Sequence, residues 1–108
     1  MTLQNKLTEL YTPFVNLDCE VNHYRRGKTN RFVVWAEDGE DASFSSDNHK
    51  TEQQLTGVVD FYTKREFDTI ADDIQSILDA QGVGWNLESV QYEEETNFIH
   101  YQWRWWIV

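Results

Sequence analysis

The residue types that could bind a metal are sparse in this sequence. Cys19 and His23 are four positions apart, so they would share one face of a β-strand, and His49 and His100 could complete a set of four ligands. Zinc sites usually contain closely spaced pairs of Cys or His, whereas this chain has one mixed pair. A Cys and a His on the inner face of a strand are more commonly part of the core. We therefore expect no metal centre.

Catalytic groups are equally hard to select. Cys19 falls within a predicted strand, the serines gather at 43–46, and no Gly-x-Ser-x-Gly motif places a nucleophile beside a base. Nineteen carboxylates permit many pairs that could hydrolyse a glycoside, but their spacing selects none of them. The stretch 37–41 lacks the alternating acidic pattern of a calcium loop. We expect no catalytic activity and no cofactor, with a small enzyme built on a carboxylate pair as an alternative.

The charge is strongly negative and unevenly distributed. Nineteen Asp and Glu against nine Lys and Arg give a formal net charge of −10. Acidic residues fill the predicted turns at 37–41 and 93–95. In a monomer this would be segregated surface charge, whereas in a head-to-tail assembly a basic turn would meet an acidic turn of the next copy, as in rings and filaments. Four basic residues crowd the first predicted turn: Arg25, Arg26, Lys28 and Arg31.

Composition also restricts location and partners. A protein this acidic is repelled by phosphate backbones, which predicts no sequence-specific binding to nucleic acid. No run approaches 18 apolar residues, and the first ten residues lack a basic segment followed by an apolar one, so we expect neither a membrane span nor a signal peptide. The single Cys19 cannot form an internal disulfide, which fits a reducing compartment such as the cytoplasm.

A helix is predicted at the start of the chain, over about residues 3–13. Thr2 is placed to cap it, and Pro13 limits its continuation. The apolar positions with helical spacing are Leu3, Leu7, Leu10 and Phe14.

Strand-like patterns follow this helix. Alternation begins at Cys19, a β-branched and aromatic run follows a polar turn, and the two segments predict a hairpin. Asp38 and Gly39 are expected to end the second strand because Asp-Gly favours turns. The predicted strands cover about 19–24, 32–36 and 53–62, with a turn at 27–30 and an aperiodic loop at 40–50.

The second half predicts one helix and a hairpin. Thr63-Lys-Arg-Glu66 has the form of a capping box, which would start the second helix there, and Gly82 is placed to end it. Two further strands at about 85–92 and 98–107 are joined by the polar turn 93–97. The apolar stripe of this helix is Phe67, Ile70, Ala71, Ile74, Ile77 and Leu78.

The last strand carries most of the tryptophan. Its alternation places one aromatic face against the core, because side chains of this size are costly to leave in water. Trp106 breaks the alternation on the otherwise polar face and is a candidate contact for a partner. Residues 1–108 therefore predict one α+β domain with the order α-β-β-β-α-β-β, in which two helices pack on a mostly antiparallel sheet of about five strands. The expected core face is Ile99, Tyr101, Trp103, Trp105 and Ile107.

Three segments of the sequence resemble those of a known family: FVVWAEDGEDASFSSDNH, GVVDFYTKREFDTIADDIQSIL and VQYEEETNFIHYQWRW. Together they resemble the tail terminator and tail-completion (head-tail joining, minor tail) proteins of long-tailed bacteriophages and prophages, over about residues 30–106. The tryptophan-rich last strand departs from that pattern. The matching residues are Ser46, Asp47 and Asn48 in a loop, Asp60, Tyr62 and Thr63 at a strand end, and Tyr92, Glu93 and Glu95 in the hairpin.

The resemblance implies a non-enzymatic virion part. Members form a ring, often of six subunits, that caps the finished tail tube and provides the surface to which the head binds. The partners would be further copies of this chain, the tail tube protein and a head-completion or connector protein, and the site of action would be the virion tail after synthesis in the bacterial host cytoplasm. We expect the loop 40–50 to act as an arm that orders on contact, because it lacks apolar anchors.

The candidate interface residues combine these arguments. An acidic intracellular protein-binding module or adaptor, such as an inhibitor or a DNA mimic, is the alternative function. The candidates are Arg25, Arg26, Lys28, Arg31, Glu40, Asp41, Ser46, Asp47, Asn48, Glu93, Glu95 and Trp106.

Overall fold

The computed structural model describes residues 2–40 and 54–107, which form a five-stranded sheet with two α-helices packed on it. This is the expected two-layer α+β architecture, in the expected element order. A 3₁₀ helix over Thr12–Asn16 follows the first α-helix directly and contains Pro13. The elements are α1 (Leu3–Tyr11), β1 (Glu20–His23), β2 (Arg31–Glu40), β3 (Leu55–Thr63), α2 (Ile70–Ala80), β4 (Gly84–Glu93) and β5 (Phe98–Ile107).

The strands lie in the order β1-β2-β3-β5-β4, and the pairs β2–β3, β3–β5 and β4–β5 are antiparallel. β1 runs parallel to β2, with Glu20 opposite Phe32 and His23 opposite Trp35. The expected hairpin between these two strands is therefore wrong. Parallel neighbours usually need a connection of a dozen or more residues, whereas here residues 24–30 bring the chain back to the level of Glu20 before β2 begins.

β2 is longer than expected. Asp38 and Gly39 do not end it, because the strand continues to Glu40, which pairs with Leu55 of β3. The register shifts between Glu37 and Gly39, and Gly39 has a φ of 148°. A glycine accommodates this backbone irregularity inside the strand without a side-chain clash. Of the loop expected at 40–50, only Glu40 lies within the described residues, as the last residue of β2.

The core lies between the helices and one face of the sheet. Trp103 and Trp105 are fully buried on that face, so the expected orientation of the last strand is confirmed. Cross-strand neighbours share a face, which places Trp103 beside Val59 of β3. The side chains buried in this core are Leu7, Leu10, Phe14, Val33, Trp35, Leu55, Val59, Phe61, Ile70, Ile74, Leu78, Trp103 and Trp105.

α1 begins as expected, because the Thr2 hydroxyl accepts a hydrogen bond from the backbone N–H of Asn5 at 3.1 Å. The end of α2 is also as expected. Gly82, at a φ of 69°, donates its backbone N–H to the carbonyl of Asp79 at 3.0 Å. A glycine in this left-handed conformation is the common way to end a helix.

The start of α2 differs from the expected capping box. Thr63 is the buried last residue of β3, and its hydroxyl donates to the Asp68 carboxylate at 2.6 Å. Asp68 instead accepts the backbone N–H of Ile70 at 3.0 Å, so the helix begins at Ile70. Phe67, expected on the buried stripe, consequently lies in the loop before the helix and is 93% exposed.

Candidate functional site

The loop 24–30 carries the basic residues and is fixed to β1 by a carboxylate. Glu20 Oε1 accepts hydrogen bonds from the backbone N–H groups of Lys28 and Thr29, at 3.0 and 3.1 Å, and from the Thr29 hydroxyl at 2.9 Å. The Asn22 amide donates to Oε2 at 2.8 Å. These bonds, that of Asn22 first, lower the pKa of Glu20 from 4.5 to about 2. The loop backbone is thereby fixed while the side chains of Arg25 and Lys28 point to solvent.

Arg26 covers an aromatic cluster on the face of the sheet opposite the helices. Its guanidinium carbon lies 5.4 Å from the ring centre of Phe32, 4.7 Å from that of Tyr62 and 5.5 Å from that of Phe98. The face of an aromatic ring attracts a cation at such distances. Gly27 allows the approach, because a Cβ there would lie 2.3 Å from the Phe32 ring. Arg26 therefore binds within its own chain.

Arg31 is engaged inside the molecule. Its guanidinium donates to both oxygens of Asp68, at 2.6 and 2.9 Å, and the Asp68 side chain is fully buried. Burial opposes ionisation of Asp68, but the bonds from Arg31, Thr63 and the Ile70 N–H outweigh it and lower the pKa of this carboxyl. The other three basic candidates, Arg25, Arg26 and Lys28, are exposed and form no ion pair with a residue of the described ranges.

The acidic turn after β4 is ordered by its own side chains. Asn97 donates its backbone N–H to the carbonyl of Glu93 at 2.8 Å, and Thr96 donates its hydroxyl to the Glu93 carboxylate at 3.0 Å. The Tyr92 hydroxyl donates to the Asn97 side chain at 2.9 Å. These bonds close the turn and leave Glu94 and Glu95 exposed at its tip.

The basic loop ends at the same end of the sheet as the acidic turn, and the two lie at opposite edges. The loop begins nearer the middle of β2, where Tyr24 donates its backbone N–H to the carbonyl of Trp35 at 3.0 Å. Arg31, which starts β2, is opposite Thr63 of β3, and Thr63 is opposite Ile99 of β5. Ile99 is in turn opposite Tyr92, near the end of β4. The two central strands β3 and β5 therefore separate the two charged regions, so the segregation predicted from the sequence runs across the sheet and not along it.

Trp106 lies at the other end of the sheet. Its indole packs against Gly84 so closely that a Cβ on that glycine would lie 2.0 Å from the indole nitrogen. It lines an open depression of about 520 Å³ together with Gln54 and Lys6. The exposed Glu40 ends β2 opposite Leu55, at the same end of the sheet as Trp106 and away from the acidic turn. The remaining candidates, Asp41, Ser46, Asp47 and Asn48, lie outside the described residues.

One surface was missed by the sequence analysis. Phe67 of the loop before α2 and three side chains of the edge strand β4 are exposed large apolar residues, and we call this group the apolar strip: Phe67, Leu87, Val90 and Tyr92. A signal for it exists, because Leu87 and Val90 are separated by three positions where an alternating strand would have two. That spacing indicates a β-bulge, and the register of β4 does shift between Leu87 and Ser89.

The single cysteine is a poor nucleophile in this fold. Burial raises the pKa of Cys19 from 9.0 to about 11, which keeps the half-buried thiol protonated and a weak nucleophile near neutral pH. His23 lies 2.8 Å from the Glu37 carboxylate and is stacked between the rings of Tyr24 and Trp35. Within residues 2–40 and 54–107, no group of three or more His, Cys, Asp or Glu side chains is arranged to hold a metal ion.

Neither helix of the described chain is both long enough and apolar enough to cross a bilayer. Comparison with known proteins gives no relationship: no protein-family model matches the chain, and no curated protein matches it significantly.

Proposed function

We propose that this chain is a structural protein of a bacteriophage or prophage tail, which assembles into a ring that caps the tail tube and joins it to the head. The observation that carries the proposal is the placement of opposite charges at opposite edges of one end of the sheet. Residues 24–31 contain four basic and no acidic residues, and residues 84–97 contain four acidic and no basic residues. The sequence resemblance to tail terminator and tail-completion proteins supports the same function.

This placement suits a closed ring because a head-to-tail contact joins two different surfaces of identical subunits. If neighbouring copies meet edge to edge at the same level, the acidic turn of one copy reaches the basic loop of the next. Exposed charge pairs add little affinity, since water and salt screen them. Their role in the ring is to set which edges meet and in which orientation.

The face opposite the helices is already satisfied by pairs within the chain. His100 and Gln102 both contact the Asp60 carboxylate, at 2.7 and 3.0 Å. Arg104 bridges Asp38 at 3.0 Å and Glu88 at 3.2 Å. With neighbours at the two edges, the two ends of the strands are the surfaces left for the tail tube protein and the head-completion protein.

Electron microscopy of phage particles that lack this chain tests the function. A terminator role predicts overlong tails, and a head-joining role predicts tails of normal length separated from filled heads. Particles of normal shape and infectivity would contradict the proposal and favour the adaptor or inhibitor alternative. Wild-type protein supplied in trans is the positive control.

Charge reversal sharpens the same experiment. The double substitution Arg25→Glu and Lys28→Glu places acidic residues opposite the acidic turn, so we expect this variant to fail in complementation. We expect the same of the double substitution Glu94→Lys and Glu95→Lys, which places basic residues opposite the basic loop. A chain that carries all four substitutions restores opposite charges at every contact and should recover assembly. Complementation by the first pair alone would show that these charges do not orient the subunits.

A further inference from the structure

Phe67 combines an unusual backbone conformation with an exposed aromatic ring. Its φ is 55°, in the left-handed region that bulky side chains rarely adopt, and its ring is 93% exposed. Non-glycine residues held in such a backbone conformation cluster at functional sites, where the strain is part of the mechanism. Phe67 therefore points to a contact outside the monomer.

The exposed ring of Phe67 belongs to a larger apolar surface along the β4 edge. Phe67 and Leu87 line one open depression of about 270 Å³, together with Tyr101 and Trp103 of β5. Val90 is opposite Tyr101 in the β4–β5 ladder and extends the surface toward the acidic turn, where Tyr92 is 60% exposed. Contiguous exposed apolar side chains rimmed by charge are typical of protein-binding surfaces.

The opposite edge of the same layer offers a cleft. An open cleft of about 320 Å³ lies between α1 and the β1–β2 edge, and its apolar lining includes Leu3, Tyr11 and Trp35. Tyr11 stacks on Trp35 at 4.6 Å between ring centres, and the indole N–H of Trp35 is buried with no hydrogen-bond acceptor in the described part of the chain. The strip and the cleft both lie on the helix side of the sheet, at its two edges.

We infer that the apolar strip seats in the β1-edge cleft of a second copy of this chain and forms the apolar centre of a head-to-tail contact. This inference rests on the proposed ring and identifies the surfaces that join its subunits. Charge complementarity indicates the occupant: a contact of two β4 edges would join two copies of residues 84–97, each with four acidic and no basic residues, whereas residues 24–31 beside β1 contain four basic and no acidic residues.

Disulfide trapping between singly substituted copies tests this assignment, since trapping also detects weak association. All variants carry Cys19→Ala, and copies with Arg25→Cys are mixed with copies with Glu94→Cys. We expect the mixed adduct to exceed both homotypic adducts about tenfold, because only unlike edges meet. Ser76→Cys, on the exposed side of α2, gives the level of random collision.

An excess of the homotypic Glu94→Cys adduct would overturn the inference in favour of a β4-to-β4 dimer. Equal yields in all mixtures, including the Ser76→Cys control, would overturn it in favour of no specific contact. Either result is separable from the proposed function, because the length and attachment of tails in the deletion phage do not depend on which edges meet.

Phe67→Asn isolates the apolar part of the contact. Asn adopts the left-handed conformation more readily than Phe, so the monomer should keep or raise its melting temperature. The yield of the mixed adduct should nevertheless fall about tenfold, as expected for loss of a central aromatic anchor. Val15→Asn is the matched control, because Val15 is 51% exposed but lies outside the strip and the cleft. Equal adduct yields for the two variants would contradict the inference.

Discussion

The two edges of the sheet are built in opposite ways. β1 has four residues, and polar side chains at both of its ends bind it: Glu20 holds the returning loop, and His23 pairs with Glu37, which also accepts the Tyr24 hydroxyl. β4 has ten residues and is held mainly by its ladder with β5. Its side chains at Leu87, Val90 and Tyr92 stay exposed on the helix side.

The difference is consistent with the proposed head-to-tail contact. A strand edge with unpaired backbone groups is a general risk for uncontrolled pairing, and bulges and charges reduce that risk. β4 contains both a register shift and the acidic residues Glu88 and Glu93. Its exposed backbone is therefore a poor template for another strand, while its apolar side chains stay available. The loop after β1 carries Arg25 and Lys28 on a backbone that Glu20 fixes.

The largest effect is expected where Asp68 connects the start of β2 and the end of β3 to α2. Asp68→Ala removes the buried carboxylate that binds Arg31, Thr63 and the Ile70 N–H. Loss of one partner of a buried ion pair typically costs about 3–5 kcal/mol, so the free energy of unfolding should fall by that amount. Urea denaturation measures it. Asp72→Ala in the exposed first turn of α2 is the control and should cost no more than about 1 kcal/mol.

The same carboxylate gives a pH dependence with a definite sign. Because the pKa of Asp68 is lower in the folded protein than the ordinary value of 3.8, its contribution to stability is complete above that value and is lost as the pH falls further. The wild-type unfolding free energy should therefore decline in acid more steeply than that of the Asp68→Ala variant. Parallel acid limbs would contradict this role of Asp68.

A smaller effect is expected where β4 begins. A Cβ at Gly84 would lie 2.0 Å from the Trp106 indole nitrogen, so Gly84→Ala must displace that ring. Overpacking of this kind costs about 1–3 kcal/mol. Trp106 is half-buried, and its movement toward water should shift the tryptophan fluorescence to longer wavelength. Gly57→Ala is the harsher control, because the Ala36 carbonyl oxygen lies 2.3 Å from the added Cβ and cannot rotate away.

Glu20→Ala should produce a local effect at the β1 edge. The backbone N–H groups of Lys28 and Thr29 lose their acceptor, so their hydrogen exchange should accelerate while that of the core strand residue Val33 stays unchanged. In the wild type, the pKa of Glu20 is about 2 in the folded protein and 4.5 ordinarily. The protection of these two amides should therefore be complete above pH 4.5 and be lost as the pH falls toward about 2. Glu20→Gln, which keeps one acceptor oxygen, should be intermediate.

The elements that the sequence predicted correctly are those fixed by local periodicity. The β4–β5 hairpin and the buried face of Trp103 and Trp105 follow from alternation around a polar turn. The limits of α1 follow from Thr2 and Pro13, which act within one turn of their own positions. Such signals survive folding because the tertiary structure reinforces them.

The wrong predictions lie where a hydrogen bond from a side chain outside the local sequence pattern accompanies a different backbone course. Residues 27–30 have the composition of a hairpin turn, but here they belong to a loop that Glu20 holds through the backbone at Lys28 and Thr29 and that returns the chain to pair β2 parallel to β1. Thr63 and Glu66 match the pattern of a capping box, but Thr63 is the last residue of β3 and its hydroxyl donates to Asp68. Thr63 therefore does not cap a helix. Phe67 of the apolar strip was predicted to be buried because its position fits the helical spacing of Ile70 and Ile74. α2 begins only at Ile70, so this spacing does not apply to Phe67.

The smallest stability effect is expected within the apolar strip itself. Val90→Thr replaces a methyl group by a hydroxyl on a side chain that is 50% exposed, so the free energy of unfolding should change by no more than about 0.5 kcal/mol. The same substitution at the fully buried Val59 of β3 should cost about 1–3 kcal/mol, because that hydroxyl would lack a partner. Urea denaturation of the two variants compares an edge with the centre of one sheet. If Val90→Thr proved as costly as Val59→Thr, then Val90 would be part of the monomer core. The proposed contact of the β4 edge with a second copy would then lose its basis.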